Sequence, residues 1–268
     1  SYSVSNLALG TYYWKIIPKN SAGSATECVV WSFTVSGNIL YVKANATGNN
    51  NGSSWTDAYT DLQSALNSTC PGVTEIWVAA GTYKPTTGTD RNISFSMKNG
   101  VAIFGGFNGT ETQLSDRNWA TNVTILSGDI GAAGKGDNSY HVIFNNNNGL
   151  NNTAVLDGFS ITGGNADHPT APNDSGGGMF NSSSSPTVAN CTFHDNSAFK
   201  YGGGMYNNSS NSSLTNCIFS GNTAGDKGGG IFNIYSNSNL TNCTISGNAA
   251  GSIGGGINNV NLNPILTN

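Results

Sequence analysis

GGGMYNNSSNSSLTNCIFSGNTAGDK, residues 202–227, is the stretch on which the fold turns. The same pattern precedes it as GGGMFNSSSSPTVANCTFHDNSAFKY at 176–201. It follows as GGGIFNIYSNSNLTNCTISGNAAGSI at 228–253, and a partial unit starts at Gly254. The glycine triplet returns every 26 residues without a gap. Asn190, Asn216, Asn242 and Asn268 keep one phase; Asn196, Asn222 and Asn248 keep a second; Asn181, Asn207, Asn233 and Asn259 a third. Cys191, Cys217 and Cys243 form a further row.

A period this short and this poor in helix formers excludes helical repeats, and too few leucines remain for a leucine-rich repeat. The calcium-binding nonapeptide needs Asp after its glycines, and here Met or Ile follows. A parallel β-solenoid fits: each unit becomes one coil of about three short strands, and like residues stack about 4.8 Å apart. Cys217 and Phe219 lie two apart and share a face. Asn216 suits a left-handed bend, and a stacked amide donates to one coil while accepting from the other. Val188, Leu214 and Leu240 then make one apolar row; Phe193, Phe219 and Ile245 make another. The crossover rule gives the coil a right hand. The expected fold is therefore all-β, a right-handed parallel β-helix.

Upstream the spacing loosens. Strand-like runs lie at 74–83, 93–97, 101–107, 123–130, 140–144 and 154–162. A helix is expected near 61–67, with Thr60 as N-cap, Gln63 completing a capping box, and Leu62, Ala65 and Leu66 inward. It reads as a cap on the solenoid end. From Ile39 roughly nine coils, or about 40 Å of stack, are expected. Residues 1–36 differ, with TYYWKIIPKN and VVWSFTV as two strands around a polar turn. The domains expected are thus 1–36 and 37–268, with irregular coils to about 175 and regular ones from 176.

With 40 Asn and 36 Gly but only 9% charged residues, the chain favours strands and tight turns. Five Trp, ten Tyr and eleven Phe argue against disorder. Ten basic residues at a net charge of −4 cannot supply a nucleic-acid footprint. No apolar run reaches the roughly 18 residues of a membrane span, so no direct membrane insertion is expected.

The segment 11–35 resembles the last two strands of a fibronectin type III domain, as a partial copy. The order YVKANATG, GSSWTDAYTDLQSAL, IWVAAGTYKP, FGGFNGTET, ILSGDI, LDGFSITGGNA and GGGMYN with NCIFSGNTA resembles large secreted bacterial β-helix proteins. The repeat is similar to that of polymorphic outer-membrane proteins: Phe193 to Asn196 and Phe219 to Asn222 match its F-x-x-N, while Ile245 replaces Phe. The resemblance implies a secreted or cell-surface protein, often modular and adhesive. It implies no reaction.

Chemistry has few footholds. Strings resembling the polygalacturonase site are absent, and only Arg91 and Arg117 could serve as the cationic base of a calcium-dependent pectate lyase. An enzyme is therefore the less favoured reading. The weak catalytic candidates are His194 and Asp195, which replace the Ser-Gly of later units, and Asp167, His168 and Asp174 of the preceding insertion. They offer acid, base or metal-ligand chemistry, against the plainer reading of a solvated loop. Asp129 and Asp137 bracket a stretch read as a turn, with Ca2+ as its one cofactor alternative. No other cofactor is expected. The cysteine row reads as buried free thiols.

Phe180, Tyr206 and Phe232 form a row of opposite parity to Met179, Met205 and Ile231. If the Met row points in, the aromatics make an outer strip for sugar rings or a partner protein, unless a loop covers them or they face the core. Lys200 and Asp226, one coil apart, are expected to pair. The function expected is adhesion or extracellular assembly, with polysaccharide or a cell-surface protein as partner. A fibre of stacked copies and a polysaccharide lyase or glycoside hydrolase are the alternatives.

Overall fold

Each regular unit forms four short strands, one more than the three expected. In 202–227 they are Met205–Asn208, Ser213–Thr215, Ile218–Ser220 and Thr223–Ala224. The computed structural model describes residues 10–21, 23–24, 28–35, 38–132, 134–261 and 264–267. Each strand pairs in parallel with its counterparts one unit away. Met205 lies between Met179 and Ile231, Leu214 between Val188 and Leu240, and Phe219 between Phe193 and Ile245. The result is a parallel β-helix with walls of five, eight, six and four strands. The longest wall runs from Ile39–Val42 to Ile265–Thr267 and holds eight strands, one fewer than the nine coils expected.

The period-2 alternation sets the core. Met205, Leu214, Cys217 and Phe219 are fully buried, whereas Ile218 faces out. Phe193 and Phe219 stack with centroids 4.7 Å apart, so one ring rests on the next at the spacing of the coils. Glycine is needed at the triplet for two reasons. Gly202 turns with φ 61°, the left-handed region. A Cβ on Gly203 would strike the Thr223 carbonyl, and one on Gly204 would sit 2.6 Å from the Gly230 carbonyl. The chain closes each coil there by backbone-to-backbone approach.

The buried asparagines of the repeat rows have their amides bonded along the stack. Asn181, Asn207, Asn233 and Asn259 hand one amide hydrogen bond to the next at 2.8–2.9 Å, and Asn145 extends the row upstream. Asn196, Asn222 and Asn248 do the same at 3.0 and 2.9 Å, each amide also donating to a backbone carbonyl. Asn190, Asn216 and Asn242 turn with φ near 50°, as a bend between two walls requires. In that row Asn216 donates to Asn190 and Asn190 to Asp157. Asn268 lies outside the described residues. Each satisfied amide avoids a desolvation cost of about 1–3 kcal/mol.

The helix spans Leu62–Asn67 and buries Leu62, Ala65 and Leu66. Its N-cap is Asp61 instead of Thr60. The carboxylate accepts from the Ser64 backbone N–H and hydroxyl at 2.7 and 2.8 Å, so Gln63 closes no capping box. A carboxylate accepts more strongly than a hydroxyl and suits the positive helix end. The Lys98 ammonium caps the other end on the Leu66 carbonyl. The run at 93–97 is not a strand; only Phe95 bridges to Ile143. Near the N-terminus, Gly10–Trp14 pairs antiparallel with Trp31–Val35, and Trp14 stacks on Trp31 at 4.8 Å. Residues 1–9 lie outside the described residues.

Candidate functional site

The five polar candidates do not form one constellation. Asp167 follows a strand of the four-strand wall, and Arg91 holds it at 2.7 Å. Arg91 also donates to the Asn138 and Asn165 carbonyls and lies 4.2 Å over the Tyr140 ring. His168 bonds the Thr170 hydroxyl of its own loop. Asp174 is buried and takes the Lys200 ammonium at 2.9 Å. Lys200 stands 26 residues after Asp174 and 26 before Asp226, and its side chain turns back to Asp174. The expected Lys200–Asp226 ion pair is therefore corrected: the buried carboxylate has the greater need of a counter-charge.

His194 and Asp195 lie elsewhere, on the outer face of the six-strand wall. Nδ1 of His194 is 2.8 Å from Asp195 Oδ2, and Nε2 is 3.0 Å from the Ser160 hydroxyl of the preceding coil. Asp129 pairs with Lys84 at 3.6 Å while Asp137 accepts from the Ala132 backbone, so the two carboxylates have separate partners. Among the described residues no group of three or more His, Cys, Asp or Glu is placed to hold a metal.

The aromatic row points away from the core, since Met179, Met205 and Ile231 fill the inside. It is not an open strip. Phe180 and Phe232 are buried, and the rings stack on one another from Phe144 through Phe180 and Tyr206 to Phe232 at 5.0–5.7 Å. Tyr201 covers Phe232 at 4.5 Å, and His141 lies on Phe144 and Phe180. Faces spent on neighbouring rings are not offered to a sugar. The ladder buries His141 completely, and that burial lowers its pKa to about 4. Its Nδ1–H donates to the Gly176 carbonyl at 2.9 Å.

The cysteine row stacks thiols that contact carbonyls of the preceding coil. Burial pushes the Cys191 thiol up to about 12. The Cys243 contact, then burial, raises Cys217. Both are protonated, apolar filler at neutral pH.

One recess escaped the sequence reading. An open cavity of about 170 Å³ beside the first coils is lined by Lys43, Asn45, Thr47, Trp55 and Thr56. Trp55 is held by its indole N–H, which donates to the Glu111 carbonyl at 2.9 Å, and by rings of Tyr41 and Phe107. Glu111 in turn closes its own turn: its carboxylate accepts from the backbone N–H groups of Asn108, Gly109 and Thr110. Burial raises the Glu111 pKa and these donors more than offset it, leaving it below its ordinary value. Among the described residues the Lys43 ammonium makes no ion pair. The sequence signal was a tryptophan inside a polar run, GNNNGSSWTD at 48–57.

No family model matches the chain, and no curated protein matches it. A solved structure titled "Crystal structure of pectate lyase Pel9A" is similar over 78% of this chain and 48% of that one, at 16% identity and a TM-score of 0.45. The chain thus spans about half the length of that protein. No helix among the described residues is long and apolar enough to cross a membrane.

Proposed function

We propose that the chain is a scaffold module of a secreted or cell-surface protein and that it attaches to polysaccharide through the Lys43–Trp55 recess. The observation that carries this reading is an indole fixed through its own N–H beside an ammonium with no ion pair among the described residues and the side chains of Asn45, Thr47 and Thr56. Such a set gives C–H groups of a sugar an apolar surface and its hydroxyls several donors and acceptors. The long walls contribute rigidity, because their amides and glycines are used up in holding coil to coil. The hairpin at 10–35 belongs to the same reading as the tail of a fibronectin type III-like segment.

Affinity electrophoresis in a panel of neutral and acidic polysaccharides tests it. At least one polymer should retard the parent, and Lys43→Ala and Thr47→Ala should weaken that retardation about tenfold with melting unchanged. No retardation by any polymer, or equal retardation of parent and variants, rejects the recess. On a neutral polymer the affinity should change less than about twofold between roughly 50 and 500 mM salt. Cleavage of a polymer in the same gels would move the reading to a lyase or glycoside hydrolase, and retention by cells stripped of polysaccharide would move it to a protein partner.

A further inference from the structure

Two departures from the repeat occur side by side and touch. His194 and Asp195 stand where later units carry Ser220-Gly221 and Ser246-Gly247. Asp195 keeps the backbone of those glycines, with φ 55° against 65° at Gly221 and 63° at Gly247. A side chain is thus carried at a left-handed bend where the later units place glycine. Nothing in the scaffold is repaid for it: the Asp195 side chain is 68% exposed, and its carboxylate meets His194.

The imidazole connects that carboxylate to a hydroxyl. Donation from Nδ1–H to Asp195 Oδ2 at 2.8 Å leaves Nε2 with a lone pair, and Nε2 lies 3.0 Å from Ser160 Oγ. Hydroxyl, base and orienting carboxylate are thus in the order acyl transfer requires. In the wall register Ser160 has Ile125 on one side and Thr192 on the other, with Ile218 beyond Thr192 and Thr162 beside His194. Thr192 is thus the outward residue next to Ser160 across the wall, Ile125 is its neighbour on the other side, and Thr162 lies on the same face two positions along the strand. The face is an outer sheet surface, which suits a small acyl group carried on a large alcohol.

We propose that Ser160, His194 and Asp195 form a hydrolytic triad for short-chain esters of polymer-borne hydroxyl groups, with Thr162 and Thr192 as donors to the developing oxyanion. Ser160 Oγ bonds to the ester carbonyl carbon and its proton passes to His194 Nε2. The tetrahedral adduct collapses, the bond to the alcohol breaks, and the alcohol leaves with the proton from Nε2. Water then attacks the acyl-serine, gives a proton to Nε2, and a carboxylic acid departs as the serine recovers its own. Ester and water become acid and alcohol, with no oxidation or reduction. Asp195 acts through the imidazole and is a positioning residue.

A fluorophosphonate probe and p-nitrophenyl acetate test this on the full chain. Mass spectrometry should find one phosphonyl group, on Ser160. Labelling should fall at least about a hundredfold in Ser160→Ala and in His194→Ser. Asp195→Asn should lower kcat at least about tenfold with KM unchanged, because it disfavours the working tautomer; a purely structural aspartate would not produce that split. His194→Ser and Asp195→Gly install the residues of the later units, so both variants should fold and the second should melt at or above the parent. Labelling of the parent no faster than of Ser160→Ala, or undiminished labelling in a folded His194→Ser, overturns the triad.

Discussion

At the scale of single residues, His141 is the group whose titration should be felt by the whole molecule. Its folded pKa is about 4 against an ordinary 6.5, because burial disfavours the imidazolium. The unfolded chain therefore binds a proton that the folded chain refuses. Stability is full above pH 6.5 and falls as the pH drops toward 4, by about 3 kcal/mol in all. Chemical denaturation of parent and His141→Gln across that range should give curves that converge with falling pH; parallel curves would mean that His141 is not sealed. The ladders that seal it were readable in advance, since a fixed phase of Asn and aromatics is visible in the letters. Cover over Phe180 and Phe232 is among the readings the row allows; which residues supply it was not legible. Parity tells which side of a wall a ring is on, but not that Tyr201 and His141 fold over that side. Nor does a serine 34 positions before a histidine announce itself; Ser160 meets His194 because the coil between them carries the irregular insertion.

At the scale of elements, the irregular coils depend on charged clamps more than on repetition. Arg117 pairs with Asp157 at 2.8 Å with both side chains largely buried, donates to the Gly105 and Asp157 carbonyls, and lies between Phe104 and Trp119. It ties the excursion at 108–123 to the bend where the Asn190 row begins. Arg117→Ala should cost about 3–5 kcal/mol, since it leaves a largely buried carboxylate without its counter-charge, with the Asn190 amide still donating to it. The double change Arg117→Met with Asp157→Leu should recover most of that loss. Urea denaturation measures both; a single variant within about 0.5 kcal/mol of the parent would show the clamp to be idle. The sequence marks Arg91 and Arg117 as rare cations, yet their role is set by partners dozens of residues away, Asp167 and Asp157. Helix 62–67 shows the same limit locally: Thr60 and Asp61 both make plausible caps by type, and the backbone chose the stronger acceptor.

At the scale of the whole molecule, chain segments of unequal length become coils of equal height. The register of the eight-strand wall places Glu75, Ala102, Val155, Thr187, Ser213 and Asn239 in one outer row. Only the last steps of that row were legible as a 26-residue period. The earlier ones were hidden by insertions that leave the wall and return to it, which is why the coil count was overestimated by one. The most direct test is pulsed electron paramagnetic resonance between nitroxides on genetically encoded, cysteine-independent side chains. The pair at Ala102 and Asn239 should be about 19 Å apart and the pair at Glu75 and Asn239 about 24 Å, one coil of about 5 Å more. Distances that track sequence separation, or that differ by anything other than one such step, would contradict the β-helix itself.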